Sequence, residues 1–128
     1  MNYLMFDGRV ERGEGMATKL GCPTANIAVE QGAIIPALGV YVGEAEFNGR
    51  LYPSLICIND GRTGYNLKME VHLLNQKELD LNEKHLRVVL FKKFRDLVPY
   101  VDDEQMGKLI ADDLTRAHKW FQRSSPPE

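Results

Sequence analysis

The stretch Arg12-Gly13-Glu14-Gly15-Met16-Ala17-Thr18-Lys19-Leu20-Gly21 holds three glycines and a lysine among few large side chains. Glycines permit the backbone conformations that point successive N–H groups at an anion, and Lys19 adds a positive charge, so such a loop can wrap a phosphate. It is neither a Walker A sequence nor a GxGxxG leading into a helix. An ordinary flexible connection between strands reads the same way. Directly after it comes Gly21-Cys22-Pro23-Thr24-Ala25-Asn26-Ile27. Pro23 restrains the backbone, and Thr24 and Asn26, two apart, project to the same side of an extended chain. A hydroxyl beside an amide oxygen forms a hard-oxygen half-site for Mg²⁺, which keeps several waters and takes further ligands from phosphates. The alternative is a turn in which both side chains bond local backbone.

Lys68-Met69-Glu70-Val71-His72-Leu73 alternates strictly, so a strand here puts Met69, Val71 and Leu73 on one face and Lys68, Glu70 and His72 on the other. Spacing alone leaves Glu70 either a solvated charge or a carboxylate available for proton transfer. Arg95 carries a planar guanidinium suited to anions, but it also fits a surface ion pair with Asp96 or Asp102. His72, His85 and His118 have neither metal-ligand spacing nor a nucleophile motif beside them. Cys22 and Cys57 are too far apart for a CxxC motif and too few for a disulfide framework, and both are expected to be buried thiols.

The elements that must position these groups change character along the chain. Short apolar runs separated by turn residues fill the first two thirds, and ten of the eleven glycines precede residue 65. Val40 to Phe47 and Leu51 to Ile58 form a hairpin around Asn48-Gly49, the dipeptide that suits a type I′ turn. Pro53 lacks a ladder donor, which places it at an edge or irregularity. Leu86 to Phe94 is a further strand, with Leu86, Val88 and Leu90 alternating against Arg87, Val89 and Phe91. Past Pro99, Asp102 and Gln105 form a capping-box start. Met106, Leu109, Ile110, Leu114, Ala117 and Phe121 then recur at helical spacing, predicting one amphipathic helix over about residues 103–122. Met106, Leu109 and Ile110 read as core contacts rather than a cofactor box, and Trp120 as a packing residue. Strands followed by one helix make a mainly β fold, a small antiparallel sheet or barrel with the helix over an apolar face or an open end.

At 128 residues, the chain suits one domain at roughly 150 residues each. We expect that domain over residues 1–123, with 124–128 a flexible tail. Hydrophobic residues make up 44% and charged residues 27%, which excludes wholesale disorder and collagen. Sixteen basic against eighteen acidic residues give a net charge of −2, arguing against a nucleic-acid partner despite the short cluster Lys92-Lys93-Phe94-Arg95. No signal peptide or membrane-length apolar run is visible, so a cytoplasmic monomer with no membrane partner is expected.

Taken in order, these segments resemble the riboflavin kinase family. Phe6-Asp7-Gly8-Arg9-Val10, Gly13-Glu14-Gly15 and Leu20-Gly21-Cys22-Pro23-Thr24-Ala25-Asn26-Ile27 are similar to its F-x-G-x-V, glycine loop and L-G-x-P-T-A-N opening. Pro36-Ala37-Leu38-Gly39-Val40-Tyr41 resembles its P-x-x-G-V-Y, Met69-Glu70-Val71-His72-Leu73-Leu74 its E-V-H-L-L strand, and Arg95 with Tyr100 its R-x-x-x-x-F element. The similarity spans roughly residues 6 to 121.

The resemblance implies a six-stranded antiparallel Greek-key barrel with a C-terminal helix. It would transfer the γ-phosphoryl group of ATP to the terminal ribityl hydroxyl of riboflavin, forming FMN and ADP. It further implies Thr24 and Asn26 as Mg²⁺ contacts, and Glu70 as the catalytic base. Gly13, Gly15, Thr18, Lys19, Gly21 and Pro23 would lie in a loop over the ATP phosphates, and Arg95 in the flavin region. In many bacteria such a module is joined to an adenylyltransferase domain; 128 residues leave no room for one, so a standalone kinase is expected. The chain departs from the family at Gly15-Met16-Ala17-Thr18, where a G-R-G-x stretch is usual. It departs again at Cys57-Ile58-Asn59-Asp60-Gly61-Arg62-Thr63-Gly64-Tyr65, where N-I-G and an N-P pair are usual. The first departure removes charge from the loop and points to a second reading, a flavin- or nucleotide-binding module without turnover.

Overall fold

A computed structural model describes residues 4–11, 25–27, 37–59, 68–74, 84–99 and 101–124. These form strands β1 (Leu4–Glu11), β2 (Ala25–Ile27), β3 (Gly39–Phe47), β4 (Arg50–Asn59), β5 (Lys68–Leu73) and β6 (His85–Arg95), followed by helix α1 (Asp103–Ser124). The strands close into an antiparallel barrel in the order β1-β2-β5-β4-β3-β6. β3, β4 and β5 are successive neighbours and β6 returns beside β3, which is a Greek key. The expected six-stranded barrel with a C-terminal helix is therefore the fold.

Local chemistry accounts for the hairpin that leads the barrel. Asn48 and Gly49 have φ of 51° and 77°, the left-handed pair a type I′ turn demands, and Phe47 pairs with Arg50 across them. Alternation from that pair makes Glu44 and Pro53 a non-hydrogen-bonded pair, so the missing proline donor faces away from β3. It faces β5 where that strand's ladder has already ended, at the Ser54–Leu73 pair. Pro53 thus sits at the irregular margin its chemistry requires, and its carbonyl still accepts from Leu74 N at 2.8 Å.

Inward-facing residues fill the barrel: Val10, Ile27, Tyr41, Ala45, Ile56, Ile58, Met69, Val71, Leu86, Val88 and Leu90 form one buried cluster. β3 comes so near β6 at Gly43 that a Cβ there would lie 2.0 Å from the Val89 carbonyl oxygen. Two register shifts between these strands, at Val40/Tyr41 and Val42/Gly43, leave Phe94 and Phe91 without a partner on β3. Both aromatics pack in a second cluster on the outer face, with Val40, Val42, Leu55, Leu114, Ala117, Trp120 and Phe121. Trp120 stacks on Phe91 with ring centroids 5.7 Å apart, in keeping with the packing role expected for it.

α1 therefore covers the outer wall of β3, β4 and β6. Asp102 caps it as expected, its Oδ1 accepting from Gln105 N at 2.8 Å. The helix runs to Ser124, two residues beyond the expected end. Among the described residues its packing is weighted to the C-terminal half. Met106, Leu109 and Ile110, expected in the core, are half-buried and lie outside both clusters. The barrel's outer wall lies beneath Leu114, Ala117, Trp120 and Phe121 instead.

Candidate active site

The alternation that buries Met69 and Val71 inside the barrel turns Glu70 to the outer face, and Ile27 does the same for Asn26. Asn26 and Glu70 are direct register partners between β2 and β5. The pairing continues around the wall, from Glu70 to Cys57 on β4, Cys57 to Val40 on β3, and Val40 to Arg95 on β6. One row of outer-face residues thus joins the amide, the carboxylate, the thiol and the guanidinium. Arg95's strand stands three places round the closed barrel from that of Glu70. Asn26 and Glu70 are both half-buried, so neither is the fully solvated group that composition alone would suggest.

Gly13, Gly15, Thr18, Lys19, Gly21, Pro23 and Thr24 lie outside the described residues. Of the expected site residues that are described, Asn26 and Glu70 come together, and Arg95 stands at the far end of the row.

Arg95 is held at both ends. Its backbone meets Gly39 so closely that a Cβ there would lie 2.5 Å from the Arg95 carbonyl oxygen. Its side chain donates to Asp113 of α1 through Nε at 2.9 Å and Nη2 at 2.6 Å, and Nη1 donates to the Asp96 carbonyl at 3.0 Å. The carboxylate partner is thus neither Asp96 nor Asp102, the two weighed on sequence proximity. The pair is sheltered, with side chains 19% and 4% exposed for Arg95 and Asp113. The hydrogen bond to Asp113 holds the guanidinium pKa above its usual value. The neighbouring cations are also engaged within the fold, Lys93 pairing with Asp96 and Arg116 lying 4.6 Å over the Phe94 ring. Lys93 and Arg95 of the basic cluster are thus engaged in contacts of the fold.

Cys57 lies between the carboxylate and the guanidinium in the row. Although it keeps some solvent exposure, the protein around its sulfur pushes the thiol up to about 11, mainly by desolvation, with Glu70 and Asp113 raising it and Arg95 and Asn59 lowering it. It is a protonated thiol at neutral pH, with Asn59 Nδ2 donating to Sγ at 3.6 Å.

Sequence reasoning passed over Asp113 and gave Cys57 no place beside Glu70. A signal for Asp113 was present. It falls three residues after Ile110 and four before Ala117, on the apolar stripe of the helix, where a charge needs a buried partner. Among the described residues no group of histidine, cysteine and carboxylate side chains could hold a metal ion by itself. No described helix is long and apolar enough to cross a membrane.

The family model "Flavokinase: Riboflavin kinase" matches residues 1–121. The bifunctional riboflavin kinase/FMN adenylyltransferase of Escherichia coli K12 is 32% identical over 124 residues, covering 94% of this chain and 39% of that protein. The enzyme of the same description from Bacillus subtilis 168 is 25% identical over 118 residues, covering 89% and 37%. The chain thus spans about two fifths of these relatives' length. Among solved structures, a macrolide-efflux protein from Streptococcus pneumoniae superposes with a TM-score of 0.82 at 22% identity, over 92% of this chain and 39% of that one. Riboflavin kinase from Trypanosoma brucei does so with a TM-score of 0.69 at 17% identity, over 97% and 83%. At these identities the two structures speak for the fold.

Proposed function

Because the chain belongs to the riboflavin kinase family, we propose that it transfers the γ-phosphoryl group of ATP to the ribityl 5′-hydroxyl of riboflavin, giving FMN and ADP. The observation that carries this reading is the direct pairing of Asn26 with Glu70 on one outer face of the barrel. Glu70, ionised, orients the 5′-hydroxyl and accepts its proton as the oxygen bonds to the γ-phosphorus. The bond from that phosphorus to the bridging oxygen breaks, and ADP leaves.

Phosphoryl transfer needs charge on the phosphates to be neutralised, and a chain of net charge −2 has no broad basic surface for that work. The half-buried amide of Asn26 offers a hard neutral oxygen, a donor that fits Mg²⁺ with water and phosphate completing its shell. Asn26, with Thr24, would hold the ion, which when bound neutralises phosphate charge. Gly13, Gly15, Thr18, Lys19, Gly21 and Pro23 belong, on this reading, to the loop that covers the nucleotide phosphates.

The test is conversion of riboflavin to FMN by the purified chain with Mg²⁺ and ATP, CTP or GTP, followed by chromatography. FMN formation is expected. A folded chain that forms no FMN with any donor sinks the proposal; quenching of riboflavin fluorescence in that case would leave a binding module.

A further inference from the structure

We infer that Lys68 is a catalytic residue that contacts the transferred phosphoryl group. This rests on the reading of the chain as a riboflavin kinase in which Glu70 faces the ribityl hydroxyl. Lys68 opens β5, and alternation with the buried Met69 and Val71 turns it to the outer face that carries Glu70. Two positions along one strand place their backbones about 7 Å apart. A lysine's flexible four-carbon stem can therefore bring its ammonium to a group held against that carboxylate. Among the described lysines and arginines, Lys68 is the one that shares a strand with Glu70. It is half-buried, as Glu70 is, so its charge is less screened than that of a fully solvated lysine.

The chemistry at Glu70 calls for a cation on that side. An ionised carboxylate that takes the hydroxyl proton lies beside the γ-phosphoryl group that the oxygen attacks, and the two negative groups repel each other. Asn26 stands across the ladder from Glu70, whereas Lys68 stands along the strand, so the two approach a bound phosphoryl group from different sides. The demand persists in the product. The phosphate stays on the 5′-oxygen next to Glu70, where riboflavin carries no charge. A cation that touches this group therefore favours FMN over riboflavin, and it also meets the charge spread over the phosphoryl oxygens in the transition state.

Lys68→Met keeps the stem and removes the charge. We expect kcat for FMN formation to fall about a hundredfold, the scale of losing one preorganised donor to transition-state charge. Kd for FMN, read by flavin fluorescence, should rise about tenfold, the scale of one hydrogen bond to a charged group, with Kd for riboflavin within about twofold. Lys68→Arg, which restores a cation, should recover most of the FMN affinity. Melting curves check the fold, and should Lys68→Met not fold, Lys68→Gln decides. An unchanged kcat or an unchanged FMN affinity in the folded variant overturns the inference; the second, with kcat lowered, marks an effect through Glu70 alone. Equal weakening of FMN and riboflavin also overturns it, since that marks a structural role. If the unsubstituted chain forms no FMN, the kinase reading fails separately and the two flavin affinities decide. Selective weakening of FMN by Lys68→Met then keeps the phosphoryl contact, and a chain that binds neither flavin overturns it as well.

Discussion

Asn26 of β2 and Glu70 of β5 are register partners, so two residues separated by 44 positions in the chain share one patch of the barrel's outer face. The pairing places an amide oxygen beside a carboxylate at β2, the shortest strand among the described residues, three residues long. Cross-strand neighbours stand about 5 Å apart at Cβ, close enough to act on one ligand.

Glu70→Gln removes the proton acceptor while keeping shape and hydrogen bonding. We expect kcat for FMN formation to fall by about 10²–10⁴, the usual contribution of a general base. Riboflavin affinity, read by fluorescence quenching, should change little. A variant with undiminished kcat would show that Glu70 is not the base.

Asn26→Ala removes one proposed oxygen ligand and leaves the carboxylate opposite it in place. The Mg²⁺ concentration for half-maximal rate should rise by at least about tenfold, the scale on which even outer partners of metal ligands act. A Mg²⁺ titration of initial rate at fixed ATP measures this, and an unshifted curve would take Asn26 out of the metal site.

Gly43→Ala inserts a methyl group 2.0 Å from the Val89 carbonyl oxygen and 2.9 Å from Ile56 Cδ1. A backbone oxygen cannot rotate aside, so β3 and β6 must separate. We expect a loss of about 3 kcal/mol, at the upper end of ordinary overpacking, seen as a lower urea midpoint with little change in slope.

Asp113→Ala leaves the sheltered Arg95 guanidinium without its carboxylate. The expected cost is about 3 kcal/mol in urea unfolding, greater than that of the Arg95→Met/Asp113→Leu pair, because an unpartnered buried charge costs more than its replacement by apolar atoms. Equal stability of the two would contradict that account.

Cys57 gives the fold an alkaline limit. Its thiol has an ordinary value of 9.0 and is pushed up to about 11 in the folded chain. Below 9 it is protonated in both states and exerts no pH dependence. Between the two values the unfolded chain releases a proton that the folded chain retains, so stability falls as pH rises, by roughly 2–3 kcal/mol in all. Denaturant unfolding from pH 8 to 11 should show a steeper alkaline loss for the unsubstituted chain than for Cys57→Ala.

Much of the scaffold was legible because its signals are local. The strict alternation over Lys68–Leu73 delimits β5 to the residue, Asn48-Gly49 marks its turn through the φ values those residues tolerate, and Asp102 marks the start of α1. β1 and β2 are less sharply delimited by pattern. Leu4–Glu11 mixes faces, and Ala25–Ile27 is too short for periodicity to register. The helix was located to within two residues of its C-terminal end, and among the described residues the partner surface lies beneath its C-terminal half, an extent that an apolar stripe does not record.

The sequence by itself determined which residues could serve chemistry, Asn26, Glu70 and Arg95 among them, and which face of its strand would hold Glu70, since side-chain direction follows from backbone periodicity. Only the tertiary structure decided that Asn26 and Glu70 are neighbours, that Cys57 adjoins Glu70, and that Arg95 answers to Asp113 eighteen residues away rather than to the nearer Asp96 or Asp102 carboxylates. Strand order and register are set by closing the barrel and by packing α1 onto its wall. Those are long-range choices, in which many weak contacts act together and no short stretch of chain records the outcome.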